Sequence, residues 1–232
     1  MKMWDIRKEL EQMQEHNPFT HLGDAVYTLL YKGIIRMDIA EDELLSDTVL
    51  ARKLNISRTP VRNALIRLQE DGLIIRTAGQ GYVLVPLTKE ECAHLMEVRL
   101  AVEGQAALRA ADRVTGEQLD LLDSLDEQYS RSCREWNIDA MIDSDHRFHQ
   151  TIVDASANPV LKEIYRQISP RVLHYRSYLF RRSGREVLEP VMSGSVRHHA
   201  SVKNALRLGF GEVARTQIEK DIYGMTDIIG SW

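Results

Sequence analysis

The sequence has 232 residues but no uninterrupted apolar run near the roughly 18 residues that a membrane-spanning helix needs. Its opening segment, MKMWDIRKEL, carries charges where a secretion signal has its apolar stretch. Only two cysteines are present, Cys92 and Cys133, which is too few for a disulfide framework or a cysteine zinc cluster. These absences argue against a membrane or secreted protein, and we expect a cytoplasmic one.

Catalytic motifs are absent as well. The sequence contains no HExxH segment, no nucleophile motif, no internal repeat and no low-complexity stretch. Hydrophobic residues make up 44% and charged residues 28% of the chain, a balance that buries a core and excludes wholesale disorder. At this length the chain forms one large domain or two modest ones.

The formal net charge of −4 hides an uneven distribution of charge. Residues 38–47 carry five acids and no lysine or arginine. Residues 48–81 carry six basic residues against only Glu70 and Asp71, a local balance of +4. A locally basic segment inside an acidic protein is typical of a DNA-reading module attached to a neutral or acidic regulatory domain.

The apolar spacing of the N-terminal part predicts a winged helix-turn-helix over residues 17–87. One buried stripe predicts a helix over 22–35, and a short second helix begins near Ser46. The segment SRTPVRNALIRLQEDG predicts a third helix, with Ser57 as its N-cap and Gly72 as its left-handed stop. The runs LIIRT and YVLV, joined by AGQG, predict a β-hairpin wing.

The third helix has a polar face that suits DNA. Arg58, Thr59, Arg62 and Asn63 share the exposed side of its first two turns, because residues three and four apart are neighbours on a helix. Guanidinium, hydroxyl and amide groups bind phosphates and base edges in a major groove. The alternative interpretation is a solvated helix face, the usual situation of surface arginines.

Several of these segments resemble the DNA-binding domain of the GntR family of bacterial transcription regulators. The resemblance spans residues 22–87 and rests on LA followed by SRTPVRNAL, EDGLI and GQGYV. It implies that the recognition helix contacts DNA and that the wing tip approaches the minor groove. Many members carry an arginine where this chain has Thr48, so the phosphate contact there is weaker or absent. We expect DNA contacts from Thr48, Ser57, Arg58, Thr59, Arg62, Asn63, Gln80 and Gly81.

The remainder of the chain predicts an all-α second domain over residues 88–232. No convincing strand alternation occurs there, and breaks such as Asn137 and Asn158-Pro159 separate six apolar-periodic segments. An antiparallel bundle of about six helices follows, and residues 1–16 remain as a helical or frayed arm. The predicted helices cover residues 88–112, 115–135, 137–156, 158–183, 186–208 and 211–229.

Four metal-type ligands fall on inward stripes of these predicted helices. Asp145 and His149 lie four residues apart on one face, and His199 and Asp221 share apolar stripes of two further helices. His198 is turned away from its neighbour by about 100°. Buried carboxylates without partners are costly, and one divalent cation would satisfy all four side chains. The alternatives are Asp–His hydrogen bonds among the four, or an error in the helical phase.

The same region resembles the FCD ligand-binding domain of FadR-type GntR regulators. The resemblance spans nearly all of residues 88–225 and rests on VRLAVEGQAAL, DHRFH, ASANPVL and the H..V..AL pattern. It implies a metal held by an aspartate and three histidines, and Asp145, His149 and His199 match that pattern. The fourth expected histidine is Asp221 here, which makes the site harder and more anionic. Zinc is our first choice and nickel or manganese the alternatives, with Asp221 bound directly or through water.

The resemblance also implies a small organic acid as effector. Arg99, four residues before Glu103, matches the position of a family arginine near the pocket and is a candidate partner for an effector carboxylate. The alternative is an ordinary ion pair between Arg99 and Glu103.

Arg171 is the second candidate for the effector carboxylate. It belongs to the acid-free stretch 166–185, which holds six arginines, and it falls close to a predicted inward stripe of Ile164, Ile168 and Tyr175. The alternative is again a solvated helix face.

Together these features predict a transcription repressor that acts as a homodimer on a palindromic duplex operator and responds to a small carboxylate. A metal-dependent hydrolase or lyase is a second hypothesis, but it leaves the winged helix unexplained. A constitutive repressor with a purely structural metal is a third.

Overall fold

The computed structural model describes residues 5–17, 19–79 and 81–231 and divides the chain into two units, Met1–Pro86 and Leu87–Trp232. The fold is mainly α, as the sequence predicts. Over the described ranges the first unit has four helices and a two-stranded sheet. These elements are α1 Ile6–His16, α2 Leu22–Ile35, α3 Asp47–Leu54, α4 Arg58–Glu70, β1 Ile74–Arg76 and β2 Tyr82–Leu84.

The first helix belongs to the core of its unit. Asp5 caps α1 by accepting a hydrogen bond from the Lys8 amide, and Ile6 and Leu10 are buried among the core residues of α2, α3 and α4. The segment predicted as a helical or frayed arm therefore packs as a helix, because its apolar residues share one face.

The helix-turn-helix and the wing are both present. Helix α3 ends at Leu54, and its C-cap residue Asn55 has a left-handed backbone (φ 56°) that turns the chain toward α4. Ser57 occupies the N-cap position of α4, but its side chain makes no capping hydrogen bond. Strands β1 and β2 pair antiparallel in the register Ile74↔Leu84, and Leu45 bridges to Tyr82 from the loop before α3. The predicted winged helix-turn-helix is confirmed.

The second unit is a bundle of six helices over its described residues. Their ends lie within two residues of the predicted ones, because Thr115, Asn137 and Asn158 cap them as side chains of that type do. The helices are α5 Lys89–Ala110, α6 Gly116–Glu135, α7 Ile138–Ala155, α8 Pro159–Arg182, α9 Arg185–Arg207 and α10 Gly211–Ser231.

Each helix of this unit packs against at least two others. Helix α10 packs against α5 and α9, α5 also packs against α7 and α8, and α6 packs against α7 and α9. Phe148, Ile152, Val202 and Ile218 belong to a buried apolar cluster that α5, α6, α7, α9 and α10 share. Within the part of the chain that the structure describes, no helix is both long and apolar enough to span a membrane.

Candidate metal centre and DNA-reading surface

Four side chains meet in the interior of the second unit. Asp145 and His149 come from one face of α7, His199 comes from α9 and Asp221 from α10. One ligand atom of each lies within 4.8 Å of the other three, and none of the four residues is more than 3% exposed. These are the four residues that the apolar stripes of the sequence indicate.

The two histidines turn their Nε2 atoms toward the carboxylates. His149 Nε2 lies 3.1 Å from Asp221 Oδ2 and 3.5 Å from Asp145 Oδ2. His199 Nε2 lies 3.6 Å from Asp145 Oδ1 and 3.8 Å from Asp221 Oδ2, beyond hydrogen-bonding distance.

Unsatisfied atoms in this cluster fit a divalent cation. Among the described residues, neither ring nitrogen of His199 has a hydrogen-bond partner, and neither does Oδ1 of Asp145 or of Asp221. Buried polar atoms are almost always paired, so this concentration of orphaned donors and acceptors calls for an explanation. Hydrogen bonding within the set pairs His149 Nε2 with Asp221 Oδ2 but leaves His199 and the Oδ1 atoms of both aspartates unsatisfied, whereas one cation would satisfy all four side chains.

An outer ion pair orients His149. The carboxylate of Glu103 on α5 lies 2.5 Å from His149 Nδ1, and Arg99 Nε donates to Glu103 Oε1 over 2.6 Å. A carboxylate on Nδ1 holds a ring proton there, so Nε2, which faces Asp221 Oδ2, would offer its lone pair to an ion bound between them. Arg99 thus forms the ion pair with Glu103 that the sequence left as an alternative, and its Nη2 also lies 3.4 Å from His149 Nδ1.

Arg176, one of the six arginines of residues 166–185, reaches the cluster. Its buried guanidinium contacts Asp145, and its Nε has no partner in the described part of the chain. Arg171, expected there from its stripe, is only half-buried and pairs with Glu91 over 2.8 Å. That stripe was wrong because Ile164, one of its members, is 37% exposed.

The electrostatics of the cluster follow from its burial and its opposed charges. Burial alone would raise the pKa of Glu103, but Arg99 and His149 outweigh it and lower that pKa to about 2. Burial alone would lower the pKa of His149, yet Glu103 and Asp221 raise it. Burial lowers the pKa of His199, and burial lowers that of Arg176 to about 10.

A groove runs along helices α9 and α10 beside the cluster. It has a volume of about 530 Å³, and its walls include Ser195, Arg197, Lys220 and Asp221. Because Asp221 belongs to both the groove and the cluster, the groove brings solvent close to the buried site. His198 also lines it and bonds to Gln217 over 3.1 Å, facing away from the cluster as its phase predicts.

The predicted DNA-reading residues of α4 form an exposed surface. Arg58, Thr59, Arg62 and Asn63 are all exposed at the start of this helix. Arg58 Nη2 donates to both carboxylate oxygens of Asp47, over 2.9 and 3.1 Å, and this hydrogen bonding lowers the pKa of Asp47.

Thr48 and Ser57 flank that surface. Both are exposed, and the Thr48 hydroxyl donates to the Asp47 carboxylate over 3.1 Å. The hydroxyl of Thr48 is therefore engaged by its neighbour Asp47. An arginine at this position would be long enough to extend into solvent.

The wing glycine plays a different part from the one expected. Gln80 lies outside the described residues. Gly81 is buried, and a Cβ placed on it would lie 2.8 Å from Leu44 Cδ1 and 3.1 Å from the Leu45 carbonyl oxygen. The expectation that Gly81 approaches a minor groove does not fit this placement, because the loop before α3 covers it. Of the turn residues that the structure describes, Ala78 and Gly79 are exposed.

Comparison with known proteins identifies the family. Residues 22–84 match the family model described as "Bacterial regulatory proteins, gntR family", and residues 94–223 match the FCD domain. The chain therefore belongs to the GntR family of DNA-binding transcription regulators, in the FadR-type architecture with an FCD domain. It is a regulator rather than an enzyme.

Individual relatives agree with this assignment. The chain is 26% identical over 175 residues to the HTH-type transcriptional regulator YdhC of Bacillus subtilis, covering 71% of this chain and 78% of YdhC. It is 34% identical to the Nta operon transcriptional regulator of Aminobacter aminovorans over 56% of this chain and 61% of that protein. The solved structure of McbR/YncC from E. coli shares the fold, with a TM-score of 0.78, 21% identity, and coverage of 92% of this chain and 99% of that one.

Proposed function

We propose that this regulator is a ligand-responsive repressor. It binds a palindromic operator as a homodimer, and a small organic acid bound beside a divalent metal in the second unit changes its affinity for DNA. The observation that carries the proposal is the convergence of four buried donors, Asp145, His149, His199 and Asp221, next to two buried guanidiniums. Because its target is chromosomal DNA, we propose a cytoplasmic location.

The donor set favours zinc, with nickel or manganese as alternatives. Two imidazole nitrogens suit zinc and nickel, whereas two carboxylates shift the preference toward harder ions such as manganese. Asp221, which stands where the family has a histidine, contributes through its carboxylate directly or through water. The Glu103 carboxylate fixes the tautomer that His149 needs as a ligand. When bound, the cation supplies a Lewis-acid position for one oxygen of the effector.

Charge balance favours an anionic effector. With both histidines in the neutral form that binds a metal, the buried carboxylates of Glu103, Asp145 and Asp221 and the guanidiniums of Arg99 and Arg176 give the cluster one net negative charge. A divalent cation would reverse this to one net positive charge, and one carboxylate would then neutralise the site. We propose Arg176 and Arg99, both buried beside the cluster, as its partners in place of Arg171, which pairs with Glu91; Arg99 would then share its guanidinium between the effector and Glu103.

Arg176 also couples the effector to the ligand set. It contacts Asp145 and keeps an unpartnered Nε in the described part of the chain. An effector carboxylate that bound both Nε and Nη1 of this guanidinium would displace Asp145 from it, and Asp145 would turn further toward the metal. That exchange gives the effector different contacts in two arrangements of the protein, which is the condition for it to shift their equilibrium.

DNA binding in this proposal uses α4 and the wing. The exposed groups of Arg58, Thr59, Arg62 and Asn63 supply phosphate and base contacts. One recognition helix makes too few contacts for tight specific binding, so two copies on a two-fold symmetric operator are required.

The experiment is a DNA titration of the full-length protein. Fluorescence anisotropy measures binding to a labelled duplex from upstream of its own gene, at low salt, with protein stripped by a chelator or reloaded with zinc. Mono-, di- and tricarboxylates are then added. We expect tight binding that one class of acid changes by tenfold or more, and we expect His149→Ala to lose that response while still dimerising. Absence of duplex binding with metal present would refute the proposal, and a lack of response to any acid would indicate a purely structural metal.

A further inference from the structure

A second carboxylate faces the metal cluster from helix α6. His199 turns Nε2 toward Asp145 and Asp221, and its other ring nitrogen, Nδ1, lies 3.8 Å from Asp126 Oδ1. Both of these facing atoms are buried and lack hydrogen-bond partners among the described residues. One atom is a potential N–H donor and the other is a carboxylate acceptor. Their separation is slightly longer than a hydrogen bond, so a small movement would form one.

The His199 ring is held so that this direction is fixed. Phe148 stacks on it with ring centroids 4.0 Å apart and an interplanar angle of 16°. Tyr129 packs beside it at 5.1 Å, tilted by 49°. The stacking fixes the plane of the ring, and of the two orientations within that plane the present one turns Nε2 toward Asp145 and Asp221 and therefore Nδ1 toward Asp126.

We propose that Asp126 is a positioning residue for the metal site, which accepts the Nδ1 proton of His199 when Nε2 binds the ion. A histidine that gives one nitrogen to a metal carries its proton on the other, and that proton needs a buried acceptor. His149 already has this arrangement, since Glu103 lies 2.5 Å from its Nδ1. Asp126 is the counterpart for His199. This inference rests on the metal binding proposed above.

The surroundings of Asp126 support the assignment. Its other oxygen, Oδ2, is anchored by Lys203 Nζ at 2.7 Å, and Lys203 also bonds Asp123 at 3.0 Å. The lysine therefore holds the carboxylate on the wall of the bundle and leaves Oδ1 facing His199. A shift of about 1 Å closes the remaining gap to an ordinary N–H···O distance.

The experiment measures zinc affinity by competition with a chromophoric chelator. Asp126→Ala and the isosteric Asp126→Asn are compared with wild type, and Asp123→Asn is the matched control. Asp123 bonds the same lysine but does not face His199. We expect Asp126→Ala to weaken zinc binding about 10- to 100-fold, the usual cost of losing an outer-shell carboxylate, and Asp126→Asn to fall in between. Asp123→Asn should change it less than about twofold. In zinc-loaded wild type, ¹H–¹⁵N correlation spectra of the histidine rings should show a protected Nδ1 proton on His199 that Asp126→Ala removes.

The outcomes separate this inference from the metal proposal itself. Wild-type zinc affinity in both Asp126 variants would overturn the role of Asp126 while leaving the metal site intact. Equal losses in Asp126→Ala and Asp123→Asn would show that the effect passes through Lys203 and would also overturn it. If wild type takes up neither zinc, nickel nor manganese, both proposals fail. Should Asp126→Ala not fold, Asp126→Asn and the His199 spectrum decide the question.

Discussion

The contrast between His199 and His198 gives a sharp prediction about metal-linked stability. The two residues are neighbours on α9, but His199 is fully buried in the cluster, whereas His198 is half-buried and bonds to Gln217. We expect His199→Ala to abolish the stabilisation of the second unit by zinc and His198→Ala to preserve it.

The magnitude follows from linkage. Zinc at 100 times its dissociation constant stabilises the folded protein by about 2.7 kcal/mol, since only the folded state assembles the four ligands. For a unit of this size, that corresponds to a rise in Tm of about 5 to 10 °C. A 100-fold loss of affinity in His199→Ala would reduce the stabilisation to about 0.4 kcal/mol, close to the resolution of the measurement.

The assay is thermal unfolding followed by circular dichroism, with chelator-treated protein and with zinc. The zinc-induced difference within each variant is the quantity to compare, because His199→Ala also loses its contact with Phe148 and melts lower without metal. An equal zinc-induced rise in Tm for the two alanine variants would refute the placement of His199 in the site.

Further predictions concern both units. Gly81→Ala should destabilise the winged unit by about 1 to 3 kcal/mol, because its Cβ meets Leu44 and Leu45. Adding Leu44→Ala should recover part of that loss in chemical denaturation. Arg58→Ala and Arg62→Ala should each weaken operator binding about 10- to 100-fold in a gel shift, whereas Gln69→Ala, exposed at the far end of α4, should not. Burial lowers the pKa of His174 to about 4. Between the unfolded pKa of about 6.5 and this value the unfolded state binds more protons, so stability falls by up to about 1.4 kcal/mol per pH unit as the solution is acidified. His174→Leu should flatten that slope in denaturation curves, and an unchanged slope would exclude His174 as its source.

The four residues of the cluster could be predicted because their helices have an apolar face and a clearly polar opposite face. Asp145 and His149 share a face with buried apolar residues of α7, opposite the exposed Asp143 and Arg147, so helical phase alone predicts that they point inward. His199 differs from His198 by a rotation of about 100°, which is enough to separate a ligand from a groove residue.

Arg176 could not be found in this way. Residues 172–180 of α8 are buried on every side, so periodicity offers no contrast between the face toward the cluster and the other faces. The stripe that predicts Arg171 includes Ile164, which is exposed. Tertiary packing of α8 decided which arginine of the stretch is buried.

The other missed features depend on contacts between distant segments. Glu103 lies beside His149, 46 residues away in the sequence, and Asp126 faces His199, 73 residues away. No local sequence pattern predicts pairs at such separations. Gly81 carries a turn signature, but its close neighbour is the loop at Leu44. A local signal did exist for the first helix, since Ile6 and Leu10 lie at helical spacing, and the mixed charge of the segment obscured it.

Two adjacent residues of α8, Tyr175 and Arg176, contact different parts of the second unit. Tyr175 accepts a hydrogen bond through its hydroxyl from the Thr88 amide, over 3.0 Å, at the point where α5 begins. The next residue, Arg176, contacts Asp145 in the cluster. Thr88 lies two residues after the last residue of the winged unit. A rotation of α8 would move both side chains together, so the hydrogen bond at the start of α5 and the ion pair with Asp145 depend on the position of the same helix.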